Sequence, residues 1–252
     1  MNRRWILLRG LIRDQRHFEG FEKRLAEFTG DEVFCIDLPG NGSRYKETSP
    51  NSIADMALGL RKEAKRLQIE PPYHILAVSL GGMVALEWTH LFRPEIAGLV
   101  IINTSAKGLT PFYQRLRWQN YQKIVRNLLL SDSVKLKEAT IIDLTLNLYP
   151  DQLALLKRWI QYAQERPTRR INGLRQLWAA SNYTLPLPLP HLPTLILASA
   201  KDRLVAYENS LILAKLAGGV AQVHPQAGHE LLLDDPAWVL TQLEAWLAPL
   251  DG

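Results

Sequence analysis

Three side chains in this sequence could together carry out nucleophilic catalysis: Ser79, His229 and Asp202. Ser79 lies in Ala77-Val78-Ser79-Leu80-Gly81-Gly82, directly after an apolar run and directly before a helical pattern. A serine at such a turn projects from the carboxyl end of a strand. Its neighbours must be small because the turn is sharp, and the amino end of the following helix favours negative charge developing beside it. A hydroxyl is a poor nucleophile without a base. Of the six histidines, His74 falls in the apolar run before the serine and His90 inside the helical pattern after it, so both read as structural. His17 lies near the first helix, His191 in a proline-rich stretch and His224 at the end of the last strand. His229, in Gln226-Ala227-Gly228-His229-Glu230, occupies a loop between a strand and a helix, where a preceding glycine lets it swing over a nucleophile. His229 is therefore assigned as the base. Asp202, in Ser199-Ala200-Lys201-Asp202-Arg203, follows another apolar run and can fix the tautomer and stabilise the cation of that histidine. Its plainer reading is a helix N-cap.

Acyl transfer also needs donors for a developing oxyanion. The backbone N–H of Leu80, next to the serine, is one. The N–H of Leu11, in Leu8-Arg9-Gly10-Leu11-Ile12, is the second, with Gly10 permitting a tight turn. The plainer reading of that segment is an ordinary strand-to-helix loop. Arg9 and Gly10 are assigned as substrate contacts. Arg9 is placed either to pair with a substrate carboxylate or phosphate or to point into solvent.

The elements that must position these groups follow from the apolar pattern. Residues 5–8, 32–38, 73–78, 99–103 and 194–198 are short runs rich in Val, Ile and Leu without alternation, the pattern of strands covered on both faces. Residues 220–224 add a weaker strand. Helices are predicted over 18–28, 52–67, 81–92, 206–216 and 235–247, the last opening with Asp235-Pro236 as cap and first turn. Strands alternating with helices imply an α/β fold: a mostly parallel, doubly wound sheet. The alternation stops from about 105 to 185, where 112–130, 133–148, 151–165 and 168–180 all read as helix. This predicts a core of 1–104 and 186–252 with a helical cap inserted at 105–185. The run Leu185-Pro186-Leu187-Pro188-Leu189-Pro190 reads as a stiff return from cap to core.

Composition sets outer limits. With 252 residues, 47% hydrophobic and 22% charged, the chain has the balance of an ordinary globular protein. The single cysteine, Cys35, rules out an internal disulfide and reads as a strand residue. The apolar run near the start is too short for a signal peptide, and no stretch reaches the roughly 18 apolar residues of a membrane helix, so a soluble, cytoplasmic protein is expected. The net charge is +5, but residues 107–175 carry 13 Lys and Arg against 5 Asp and Glu, or 13 − 5 = +8. That surface is either a solvated helical face or an attractor for an anionic substrate or carrier protein, with Arg115, Arg117, Lys123 and Arg126 as candidate contacts. No nucleic-acid motif accompanies it. A monomer or small homo-oligomer is expected.

The segments Arg9-Gly10-Leu11, Asp37-Leu38-Pro39-Gly40-Asn41-Gly42-Ser43, Ala77–Gly82, Ala200-Lys201-Asp202 and Gly228-His229 together resemble the α/β-hydrolase superfamily over almost the whole chain. The order serine, acid, histidine is that of the fold. Arg9, Asn41 and Ala77 depart from the residues usual at their positions, which are His, His and Gly. The layout resembles small capped carboxylesterases, among them the pimeloyl-carrier methyl ester esterase of biotin synthesis. The resemblance implies a serine esterase or thioesterase with an acyl-enzyme intermediate, acting on a small acyl ester, and it implies no metal or organic cofactor. Two alternatives remain open: a lyase or synthase of the menaquinone-pathway type, and a catalytically silent ligand-binding protein.

Overall fold

The computed structural model describes residues 2–250. Its centre is one six-stranded sheet in the order β2-β1-β3-β4-β5-β6, with every pairing parallel. The strands are β1 (Arg4–Leu8), β2 (Glu32–Cys35), β3 (Tyr73–Val78), β4 (Ile96–Ile102), β5 (Thr194–Ser199) and β6 (Val220–His224). The fold is therefore the α/β class expected, and wholly parallel among these strands. Along β3, Ile75 and Ala77 point into one apolar core and Leu76 and Val78 into another. The sheet is thus buried on both faces, which is why its central strands read as continuous apolar runs.

Helices α1 (Phe21–Thr29), α2 (Ile53–Arg66) and α3 (Leu80–Leu91) connect the first strands. Ser52 caps α2 by accepting from the Asp55 N–H at 3.1 Å, and Asp235 caps Pro236–Leu247 by accepting from the Trp238 N–H at 3.0 Å. From β1 the chain passes outward to β2, then crosses back to β3 on the other side. Strands β1 and β3 therefore flank the point where the winding reverses. In open parallel sheets a crevice forms there, outside the carboxyl ends of the strands. Gly10 and Leu11 follow β1 at that crevice, and Ser79 follows β3.

Between β4 and β5 the chain forms helices and turns, including Val134–Thr145, Gln152–Glu165 and Arg170–Asn182. The two ends of the segment meet where the Lys107 N–H donates to Tyr183 O at 2.7 Å. The single helix expected over 112–130 is not formed. It breaks into Phe112–Arg115, a tight turn at Trp118–Asn120, Tyr121–Lys123 and a wide-turned stretch, Ile124–Leu130. Tertiary hydrogen bonds account for the break. The Arg117 N–H donates to Leu204 O at 2.8 Å instead of to a helical carbonyl, and Arg115 reaches Ala180 O and Ser181 O at 2.7 and 2.9 Å. Lys123 pairs with Asp143. Arg115, Arg117, Lys123 and Arg126 accordingly do not form one cationic helix face. β2 ends early, at Cys35, because Asp37 opens a side-chain-braced turn. A short helix at Leu231–Asp234 was not expected from the sequence.

Candidate active site

The turn at Ser79 is strained. Ser79 has φ 55° and ψ −117°, a conformation that costs a non-glycine residue about 1–3 kcal/mol. The Ser79 N–H is fixed by Ile102 O at 2.9 Å, and its carbonyl accepts from Thr104 Oγ1 at 2.9 Å. The two following glycines are needed for space. A Cβ on Gly81 would lie 2.7 Å from Arg9 O, and one on Gly82 would collide with Thr104 Oγ1. Ala77, where glycine is usual, sits fully buried between Leu8 and Ile101 and its methyl is accommodated.

Gly10 lies against the serine: an added Cβ would be 3.2 Å from Ser79 Cβ. Its role is close approach. The turn itself is made two residues later by Ile12, at φ 54°. The Ile12 N–H donates to Gln176 Oε1 at 2.9 Å, while the Leu11 N–H meets no acceptor among the described residues. Leu80 opens α3, so its N–H also has no intrahelical partner. Gly10, Leu11, Ser79, Leu80 and His229 line one cavity of about 350 Å³, whose wall is otherwise mostly apolar and partly supplied by the helical segment.

His229 and Asp202 come together as the sequence predicted. The His229 Nδ1–H donates to Asp202 Oδ2 at 2.7 Å, and both side chains are buried. The other oxygen, Oδ1, accepts from the N–H groups of Leu204 and Val205 at 2.7 and 3.0 Å. Those two N–H groups belong to a turn: the next helix, Glu208–Ala217, starts later with Tyr207 at its N-cap, so Asp202 braces its own loop and is not a helix N-cap. With Nδ1 committed, Nε2 is left as the basic nitrogen. Burial alone would pull the His229 pKa down, but the charge and hydrogen bond of Asp202, aided by Glu230 and opposed by Arg9, hold it above the ordinary value. No direct hydrogen bond joins Ser79 Oγ to His229 among the described residues. Such contacts commonly tighten only around substrate.

Arg9 takes neither place expected of it. It is 3% exposed and does not line the cavity. Its Nη2 lies 2.6 Å from both oxygens of Glu230, and its guanidinium stacks 5.1 Å over the Phe18 ring. A buried guanidinium needs a carboxylate, and the residue after the catalytic candidate His229 supplies it. Glu230 is held below the usual carboxylate range: burial would raise it, but the charge and hydrogen bond of Arg9, aided by His229 and Arg13, together outweigh burial.

Sequence reasoning missed three supporting residues. Asn103, at φ 48°, donates to His229 O at 2.9 Å and accepts from the Ser199 N–H at 2.9 Å, joining the end of β4 to β5 and to the histidine loop. Its signal was available: a polar residue directly at the carboxyl end of an Ile-Ile strand. Gln176 is fully buried and also donates to Asn41 Oδ1 and Ser49 Oγ, both at 2.9 Å. Glu230 was visible only as the neighbour of His229. Asn41 donates to Arg13 O at 3.0 Å, so its departure from histidine serves the same loop. The Asp37–Ser43 motif is a brace: Asp37 accepts from the Gln15 and Ser43 N–H groups, each at 2.8 Å. A Cβ on Gly40 or Gly42, both at positive φ, would strike packed side chains. Cys35 carries a thiol pushed up to about 12, mainly by burial, which disfavours the thiolate.

The Alpha/beta hydrolase family matches residues 5–242. The chain belongs to the alpha/beta hydrolase family. Among solved structures, this family member is similar to a thermophilic esterase from Thermogutta terrifontis, with a TM-score of 0.77 and 20% identity over 99% of this chain and 90% of that one. It is similar to a bacterial membrane phospholipase A at TM-score 0.82 and 18% identity, over 100% and 80% of the two chains. It is also similar to the RedJ thioesterase of prodiginine biosynthesis from Streptomyces coelicolor, at TM-score 0.67 and 19% identity over 97% and 90%. At these identities the likeness shows a shared fold. No curated protein sequence matches the chain. Among the described residues, no helix is long and apolar enough to cross a membrane.

Proposed function

We propose that this family member hydrolyses a carboxylic ester or thioester through an acyl-Ser79 intermediate, with the helical segment serving as a cap over the site. The observation that carries this reading is the strained Ser79 on one wall of a cavity whose other wall presents His229, paired at 2.7 Å with Asp202. In the first half-reaction, His229 Nε2 takes the hydroxyl proton as Ser79 Oγ bonds to the substrate carbonyl carbon. The carbonyl oxygen becomes an oxyanion, held by the N–H groups of Leu11 and Leu80. The carbon–heteroatom bond then breaks, and His229 gives its proton to the leaving alcohol or thiol. Water repeats the sequence on the acyl-serine, giving acid and free enzyme. Asp202 keeps Nδ1 protonated throughout and stabilises the imidazolium. The small polar share of the cavity wall suits an apolar acyl group.

The reading is tested by labelling wild type and Ser79→Ala with a fluorophosphonate and measuring intact mass. One adduct on wild type and none on the variant is expected. No adduct on either refutes the activated serine. An adduct without turnover of any ester or thioester would move the triad to a base role in elimination chemistry. The same substrate panel tests a carrier protein as partner of the +8 segment. Turnover of a carrier-linked thioester should fall steeply with salt, while turnover of a neutral short ester should not. Equal salt dependence would remove the carrier.

A further inference from the structure

A second cavity, of about 300 Å³, lies under the helical segment beside the first. The two share wall residues, mostly apolar ones such as Leu11, Ile12, Leu128, Ile141 and Leu177 but also Arg13 and Thr145, so the cavities adjoin at a mostly apolar neck. The far walls differ in kind. The catalytic cavity is lined by uncharged groups apart from Arg13, Arg115, Glu230 and the imidazole of His229. The second cavity is lined, besides the shared Arg13, by four cations, Lys137, Arg166, Arg169 and Arg170, against two carboxylates, Asp14 and Glu138, an excess of 4 − 2 = +2.

Most of these charges are already matched. Glu138 pairs with Arg13 at 2.7 Å and Asp14 with Arg16 at 2.7 Å, all buried or nearly so. Arg170 pairs with Asp132 at 2.6 Å, and Arg169 is tied to Lys46 O and Glu47 O at 2.9 Å. His17, also on this wall, is driven below its ordinary pKa by burial and then by Arg13, and so is neutral at pH 7. Lys137 and Arg166 are left. Both are half-buried, and among the described residues neither has an ion pair or a side-chain hydrogen bond. Two unmatched, partly desolvated cations at the end of a mostly apolar passage ask for an anion.

We propose that this second cavity is a subsite for the anionic end of an amphiphilic substrate. The ester carbonyl sits at Ser79, the apolar chain runs through the neck, and a carboxylate or phosphate ends against Lys137 and Arg166. The kinetic arm rests on the hydrolase reading; the binding arm does not. For kinetics, the p-nitrophenyl monoester of decanedioic acid, a phosphate-ended counterpart and p-nitrophenyl decanoate are compared on wild type and Lys137→Ala/Arg166→Ala. Turnover of p-nitrophenyl butyrate confirms that the variant is folded. The kcat/KM for the anion-ended esters should fall about 10- to 100-fold in the variant, the scale of one or two lost charge-assisted contacts. The decanoate ester should be unaffected. Whichever anion shows the larger fall identifies the end group. For binding, decyl phosphate and decanoate are titrated calorimetrically into Ser79→Ala and into Ser79→Ala/Lys137→Ala/Arg166→Ala, with 1-decanol as the neutral control. At least one anion should bind Ser79→Ala more tightly than decanol and lose that advantage in the triple variant. Affinities and kcat/KM values that ignore the two cations would overturn the subsite. Failure of Ser79 to label would sink the hydrolase reading alone, with the titration still deciding the subsite.

Discussion

Glu230→Gln is the substitution that separates the electrostatics of this site most cleanly. The amide has nearly the shape of the carboxylate, so what changes is one buried charge. In the native chain that charge faces Arg9 at 2.6 Å, with the two side chains 5% and 3% exposed. Breaking a buried pair by neutralising one member strands the other, at a cost of about 3–5 kcal/mol. In a domain of this size each kcal/mol moves Tm by about 2–4 °C, so the variant should melt about 6–20 °C lower. Arg9 has two further nitrogens, Nε and Nη1, already buried without partners, so no alternative acceptor is at hand. Adding Arg9→Met should recover much of the loss, because the stranded cation goes with it. The catalytic effect has its own sign. Glu230 helps hold the His229 pKa up, and Arg9 pushes it down. Without Glu230 the acidic limb of kcat/KM should move to lower pH, since only neutral imidazole accepts the serine proton. Linkage runs the other way. Because folding raises this pKa, the His229 contribution to stability is fully present below the ordinary value of 6.5 and is lost as pH rises through the folded value. That decline should be smaller in Glu230→Gln. Thermal melts and kcat/KM from pH 5 to 9 on a chromogenic ester measure all three effects. A folded variant whose acidic limb stays put or moves upward would refute the electrostatic reasoning.

Gln176→Leu removes the acceptor that holds the Ile12 N–H while leaving every group assigned to catalysis in place. If that bond aims the Leu11 N–H, kcat should fall about 10- to 100-fold with little change in KM, somewhat less than outright loss of an oxyanion donor; an unchanged kcat, or a change in KM alone, would assign Gln176 a merely structural role. His74 is pushed down to about 4, chiefly by burial, and its Nδ1 is buried without a partner. Being depressed from 6.5, it contributes stability that is lost as pH falls from about 6.5 to about 4, on the order of 3 kcal/mol. His74→Phe should flatten that part of the urea-midpoint profile and cost little at pH 7, and an acid profile identical to wild type would show that other groups set it.

The sequence by itself determined the sheet and which side chains gather at its carboxyl edge. β3 and β6 match their predicted ranges, and the other strands are placed within a few residues: the central strands, buried on two faces, leave unbroken apolar runs, while the half-exposed edge strand β6 starts directly after Gly218-Gly219. The Ser79 turn was legible because its constraint is local: the strained serine, the helix start and the small neighbours all lie within six residues. The Asp202–His229 pair was legible for a weaker reason, that both follow strands whose ends must share one edge. Tertiary structure decided what depends on partners far apart in the chain. Arg9 could not be read as buried until Glu230 was brought to it across 221 residues. Ile12 takes its strained turn where Gln176, 164 residues away, supplies the acceptor. The helix expected over 112–130 satisfies its local periodicity, yet Leu204 and the end of the helix Arg170–Asn182 offer its backbone and arginines better partners. Periodicity encodes which face of an element is apolar. It does not encode which polar groups, hundreds of residues apart, will be left to satisfy one another once the faces have packed.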